Sequence, residues 1–120
     1  MGVTYYHMVV GEVDLDQVFH ALADGTRRDI VVRTLRDEYS VSALSRLYPM
    51  TFAAVQKHVA VLERAHLVTK RRSGREQLVT GNVETIRHAA RLLDQLEIVW
   101  RDRLDRFGDL LAEEDGGDPA

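Results

Sequence analysis

Between Ser40 and Thr80 the apolar pattern changes period, and that change constrains the fold more than any other feature of the chain. Val55, Val59 and Leu62 recur at helical spacing. From Leu67 to Arg72 the pattern alternates and is partly β-branched, Ser73-Gly74 supplies a turn, and Glu76 to Thr80 returns. A Gly-containing two-residue loop between such runs predicts a β-hairpin. Ahead of the helix, Ser40 to Pro49 predicts a shorter one, with Ser42 as cap and Val41, Leu44 and Leu47 on its apolar side. Tyr48-Pro49-Met50 ends it, because proline has no N–H to donate. Thr51 then caps the next helix, expected over Phe52 to His66. Two helices joined by about four residues form a helix-turn-helix, and the hairpin behind them is a wing.

The flanks predict more helix. Asp14 with Gln17 is a capping-box arrangement, followed by an apolar stripe of Val18, Phe19 and Leu22. Asp24-Gly25 breaks that helix, and a second follows, capped by Asp24 or Thr26, with Ile30, Val31 and Leu35 inward. After Gly81, Asn82 caps a long stretch free of Gly and Pro until Gly108. Ile86, Leu93, Trp100 and Phe107 stand seven residues apart, with Ala89 or Ala90, Leu96, Leu104 and Leu110 or Leu111 between them. This predicts an apolar seam of about three heptads, broken into two helices near Leu96. The seam is too long to bury entirely on so small a domain. Placed beside Phe19, it predicts a two-fold homodimer.

The fold class is mainly α with a small β-hairpin wing, a winged helix-turn-helix with C-terminal helices in the dimer interface. The expected organisation is an N-terminal arm or edge strand over residues 1–13 and a winged domain over 14–112. Within the latter, 14–22 and 83–112 are the dimerisation helices, and 113–120 form a disordered acidic tail. At 120 residues this is one domain. The sequence contains no cysteine, which excludes disulfides and thiolate metal sites. No apolar run is long enough for a membrane span, and Met1 to Val10 lacks a signal-peptide pattern, so a cytoplasmic protein is expected.

The net charge of −3 conceals an uneven distribution. Residues 51–75 carry Lys57, Arg64, Lys70, Arg71, Arg72 and Arg75 against Glu63 alone, while the segments on either side are acidic. A basic block in an acidic chain points to a local polyanion-binding face. Gln56 and Lys57 sit early in the reading helix, where Gln pairs with adenine and Lys with guanine. Thr51 serves as cap and phosphate contact together. Phe52 either touches a thymine methyl or packs on the preceding helix, and Ala53 lies beside it on the exposed side. Lys70, Arg71, Arg72 and Arg75 flank the wing tip, where backbone or minor-groove contact is expected. Arg27 and Arg28 open a helix, an unfavourable place for cations, so an internal ion pair is expected for one of them.

His7, His20, His58, His66 and His88 are scattered, and no two have the i, i+4 spacing of a helical metal clamp. No Gly-rich phosphate loop or nucleophile elbow occurs. The expectation is a protein that is no enzyme and takes no metal or cofactor. The competing class is a winged-helix module that binds protein without DNA.

Ala21-Leu22-Ala23-Asp24-Gly25-Thr26-Arg27-Arg28-Asp29-Ile30 resembles the "LADPTRRxIL" opening of ArsR-type regulators. Thr51 to Val59 is similar to that family's "SQPTVSxHL" recognition helix, and Val61 to Val68 to its "VLxxAGLV". The resemblance covers roughly residues 15–112 and points to the cysteine-free branch with a long C-terminal helix. It implies a homodimer on a near-palindromic double-stranded DNA operator, and repression relieved by an effector that the sequence does not identify. His58 matches the family's helix histidine, and a packing or hydrogen-bonding role is expected for it. Metal-sensing relatives place an Asp two residues before a helical His and another His eleven after it; around His88 those positions hold Ile86 and Val99. Gln56 stands where Ser is usual, Phe52 where a polar residue is, and His66 where Gly is.

Overall fold

The computed structural model describes residues 13–116, with side chains to residue 113. The helices and strands in chain order are α1 (Leu15–Leu22), α2 (Gly25–Arg36), β1 (Tyr39–Ser40), α3 (Val41–Ser45), α4 (Phe52–Arg64), β2 (Val68–Ser73), β3 (Glu76–Gly81) and α5 (Val83–Gly116). The chain divides into two compact units, one ending at Ala89 and the other beginning at Ala90. The expected arm lies almost wholly outside the described residues, as do residues 117–120 of the expected tail.

Short polar side chains start the helices by accepting hydrogen bonds from the first free backbone N–H groups. Asp14 Oδ1 accepts from Asp16 N at 2.9 Å and Gln17 N at 3.4 Å. Asp24, rather than Thr26, caps α2, accepting from Arg27 N at 3.0 Å. That bond is the main cause holding the Asp24 carboxyl below the usual range. Ser40, and not the expected Ser42, caps α3 through Ala43 N at 3.0 Å. The helix therefore begins two residues before a Ser42 cap would start it and ends at Ser45, short of the expected Pro49, which leaves Leu47 43% exposed instead of inward.

The core of the first unit is built where α1 to α4 meet the sheet. Val18, Ile30, Leu44, Val55, Val59, Leu62, Leu67 and Val79 are buried there. Thr34 and Thr85 are also buried, and their hydroxyls donate to the carbonyls of Ile30 at 2.8 Å and His66 at 2.6 Å. The sheet order is β1-β3-β2, all antiparallel, with Tyr39 opposite Val79 and Lys70 opposite Val79 on the other side. The turn is Gly74-Arg75, one residue later than expected, with Gly74 at φ +62°. Gly81 ends β3 against α2, where a Cβ would fall 2.8 Å from the Leu35 side chain and 2.9 Å from its backbone N. Leu35, expected inward, rests there with 41% of its surface exposed.

Helix α4 ends at Arg64, and His66 takes the left-handed conformation at φ 62°. Leu67 N donates to Leu62 O at 2.9 Å and His66 N to Glu63 O at 3.0 Å, which closes the helix as a Schellman motif. His66 thus stands at the position where glycine relieves strain, and where the resembled family places one.

The break expected near Leu96 is absent: α5 is one helix of 34 residues. No Gly or Pro interrupts it before Gly108, and Arg87–Glu84 and Arg101–Glu97 bridge successive turns at 2.6 and 3.0 Å. It also continues to Gly116, beyond the expected end at 112. None of the helices among the described residues is long and apolar enough to cross a membrane.

Candidate nucleic-acid interface

The two sides of α4 have opposite surroundings. Val55, Val59 and Leu62 are buried, while Thr51, Phe52, Ala53, Gln56 and Lys57 are all exposed. The buried side fixes the helix, so its orientation does not depend on the exposed one. Thr51 Oγ1 accepts from Ala54 N at 3.1 Å and so caps the first turn of α4. Phe52 keeps 46% of its surface exposed, beside Thr51 and Ala53 on the open side of the helix.

Arg27 links α1, α2 and α4. Its Nε donates to Ala21 O at 2.8 Å and its Nη2 to His20 O at 3.3 Å, while Nη1 lies 3.3 Å from His58 Nδ1. Arg28 Nη1 donates to Leu22 O at 2.7 Å. Among the described residues neither guanidinium forms the expected ion pair. Both guanidiniums meet carbonyls at the C-terminal end of α1, where the helix dipole is negative. Asp24 Oδ2 lies 4.0 Å from His58 Nδ1. His58 bonds to a neighbour, as expected.

The turn between α3 and α4 is tied to α2 by a second polar group. Tyr48 OH donates to Asp29 Oδ2 at 2.5 Å, Arg33 Nε donates to the same oxygen at 2.8 Å, and the Arg33 guanidinium lies 5.9 Å from the centre of the Tyr48 ring. The Tyr48 bond, then the Arg33 bond, hold the Asp29 carboxyl below its usual range. Burial, with the Asp29 bond second, pushes the Tyr48 hydroxyl up to about 12.

The four wing cations are not equivalent. Lys70 Nζ lies 3.4 Å from Glu63 Oε1 in α4, and Arg71 Nη2 lies 3.1 Å from Glu38 Oε1. Glu38 Oε2 also accepts from Thr80 Oγ1 at 3.2 Å. Arg72 and Arg75 are exposed and have no ion pair among the described residues. The charge pattern could not reveal this division, because Glu38 lies 33 residues from Arg71.

The residues expected at a dimer interface separate into two groups. Phe19 and Ile86 are half-buried and pack on the core of the first unit. Leu93, Leu96, Trp100, Leu104 and Phe107, all on α5 in the second, are between 47% and 59% exposed. Among the described residues no three His, Asp or Glu side chains come together as a metal site.

The comparisons with known proteins point one way. No protein-family model matches the sequence. The chain is 33% identical over 99 residues to the HTH-type transcriptional regulator Rv2034 of Mycobacterium tuberculosis, spanning 82% of this chain and 90% of that one. An ArsR-like transcriptional regulator from Rhodococcus sp. RHA1 superposes with a TM-score of 0.71 at 30% identity, over 80% of this chain and 91% of that one. The homodimeric winged helix-turn-helix DNA-binding domain of a possible ArsR-family regulator from Mycobacterium bovis gives 0.53 at 26% identity, over 82% and 95%. With a helix-turn-helix, a three-stranded wing and no cysteine, the chain belongs to the ArsR family of winged helix-turn-helix transcriptional regulators.

Proposed function

We propose that the protein binds double-stranded DNA sequence-specifically, as a homodimer on a near-palindromic operator, and represses transcription there. The observation that carries this reading is α4 itself, with an apolar side locked into the core and Thr51, Phe52, Ala53, Gln56 and Lys57 exposed on the other. A helix so held enters the major groove with Gln56 and Lys57 reaching base edges and Thr51 at a phosphate. Phe52 meets a thymine methyl. Arg72 and Arg75 at the wing tip contact the backbone or minor groove, and Lys70 and Arg71 join them by exchanging Glu63 and Glu38 for phosphate.

One chain carries one reading helix, and one such helix reads only a few base pairs. Two copies supply the rest, joined through the exposed apolar residues of α5. The working unit is residues 14–112, with 14–22 and 83–112 at the dimer interface. The protein performs no catalysis, requires no metal or cofactor, and acts in the cytoplasm. Selection from a random pool of DNA duplexes tests the reading. A near-palindrome should emerge, its half-sites about 34–36 Å apart. Failure to enrich any sequence, with no salt-dependent DNA binding, would leave a winged-helix module that binds protein.

A further inference from the structure

We propose that DNA binding is weakened by protonation of His58, through the hydrogen bond that joins α4 to Arg27 of α2. The proposal rests on the DNA-binding reading and adds a control of the same site. His58 follows Gln56 and Lys57 on α4, but they are exposed and its ring is half-buried against α2. Nδ1 of the ring lies 3.3 Å from Arg27 Nη1. A guanidinium can only donate, so Nδ1 accepts, and the ring that fits is neutral with its proton on Nε2. Arg27 is held in place on its other sides. Its Nε and Nη2 donate to Ala21 O and His20 O at 2.8 and 3.3 Å, and its main-chain N donates to Asp24 Oδ2 at 3.0 Å. The apolar contacts of Val55, Val59 and Leu62 hold α4 to the core without direction. The bond to Arg27 has direction, so it fixes the rotation of α4 and with it the aim of Gln56 and Lys57.

A proton on Nδ1 turns the acceptor into a donor and sets a second positive charge 3.3 Å from the guanidinium. The carboxylate beside the ring is Asp24, whose Oδ2 is 4.0 Å from Nδ1 and already bonded to Arg27 N. The imidazolium therefore either leaves Arg27 or draws Asp24 from the cap of α2, and both routes break the tie. Among the described residues no hydrogen bond or ion pair joins the ring to His20 of α1, Arg46 beside α3 or Lys70 of β2, and Lys70 is taken by Glu63. On α4 itself the residues one turn from His58 are Ala54, Val55, Val61 and Leu62, none of them charged. Imidazole changes charge between about pH 5 and 8. A cation added beside DNA ordinarily tightens binding, so weaker binding in acid carries the opposite sign. By linkage, DNA that takes the neutral ring expels a proton from the charged one.

The test measures affinity for the selected duplex across pH at fixed salt, with proton exchange read by calorimetry in buffers of different ionisation enthalpy. From about pH 7.5 to about pH 5.5 binding should weaken about tenfold, the worth of one hydrogen bond to a charged group, and it should release protons in acid. Glutamine offers Arg27 an acceptor that does not titrate, so His58→Gln should lose the fall in acid. His20→Gln and His88→Gln should keep it. Affinity that stays flat or rises in acid would overturn the proposal, and so would a fall that persists in His58→Gln. Nitrogen NMR of the unsubstituted protein without DNA supplies a second arm. Nδ1 of His58 should carry a free lone pair at the alkaline end and a proton in acid, and the amide signals of Gln56 and Lys57 should move with the same midpoint. A ring that takes its proton while those signals stay still would also overturn the proposal. Failure to bind any duplex removes the DNA-binding reading itself, and the NMR arm still decides whether His58 moves α4.

Discussion

Arg71 Nη2 lies 3.1 Å from Glu38 Oε1, so a cation of the wing is held by an acid from the segment between α2 and β1. Arg72, the next residue, has no such partner among the described residues, nor does Arg75. Arg72→Ala with Arg75→Ala should weaken binding to all DNA sequences alike and lower the slope of log affinity against log salt by about one per lost contact. Arg71→Ala should lower it less, because Arg71 must first leave Glu38. Glu38→Gln frees Arg71 and should make the slope steeper. Anisotropy titrations over a salt series measure all three, and equal slopes would place the wing off the DNA.

Gln56 is exposed on α4, whose Val55, Val59 and Leu62 are buried in the core. Gln56→Ala should cost roughly 1–3 kcal/mol on the operator and relax preference at one base position in each half-site. Competition against single-base variants reads this. An equal loss on operator and unrelated DNA would show that Gln56 does not read a base.

His66 occupies a left-handed position that glycine takes without strain. His66→Gly should raise stability by about 1 kcal/mol, since the bonds made by the backbone of residue 66, its N–H donating to Glu63 O and its carbonyl accepting from the Thr85 hydroxyl, survive the change. Urea unfolding measures it. A loss of stability would mean that the imidazole makes a contact worth more than the strain.

Asp29 has a lowered carboxyl pKa, caused first by Tyr48 and then by Arg33. A group whose folded pKa is depressed contributes its stability above the unfolded value and loses it as pH falls through the folded one. Asp29→Asn should therefore cost roughly 1 kcal/mol near pH 7, allowing for the partial exposure of the pair, and the gap from the unsubstituted protein should narrow below about pH 5. Denaturation series at several pH values check the sign. A gap that widens in acid would contradict the assignment.

Legibility in the sequence followed the range of the interaction. The α4 face was readable because Val55, Val59 and Leu62 repeat within one helix. The caps Asp14 and Thr51 were readable because each acts on N–H groups two or three residues away. Strand β1 was not readable, since two residues are too few to show a period. Tyr48 and Asp29 are 19 residues apart, and Arg27 meets carbonyls in a different helix; neither leaves a local mark. Glu38 and Glu63 carry no local pattern that marks them as partners of Arg71 and Lys70, which the fold brings to them. The Leu96 break was expected where nothing in the sequence breaks a helix, and α5 runs through.

The central claim is that α4 and the wing read DNA by sequence. Its most direct test is the affinity of the intact protein for its selected site against a scrambled duplex of the same length and composition, at near-physiological salt. The account predicts binding at least about 10³ times tighter to the selected site. It also predicts a steep fall with salt on both duplexes. Equal affinity for the two duplexes at every salt concentration would contradict it.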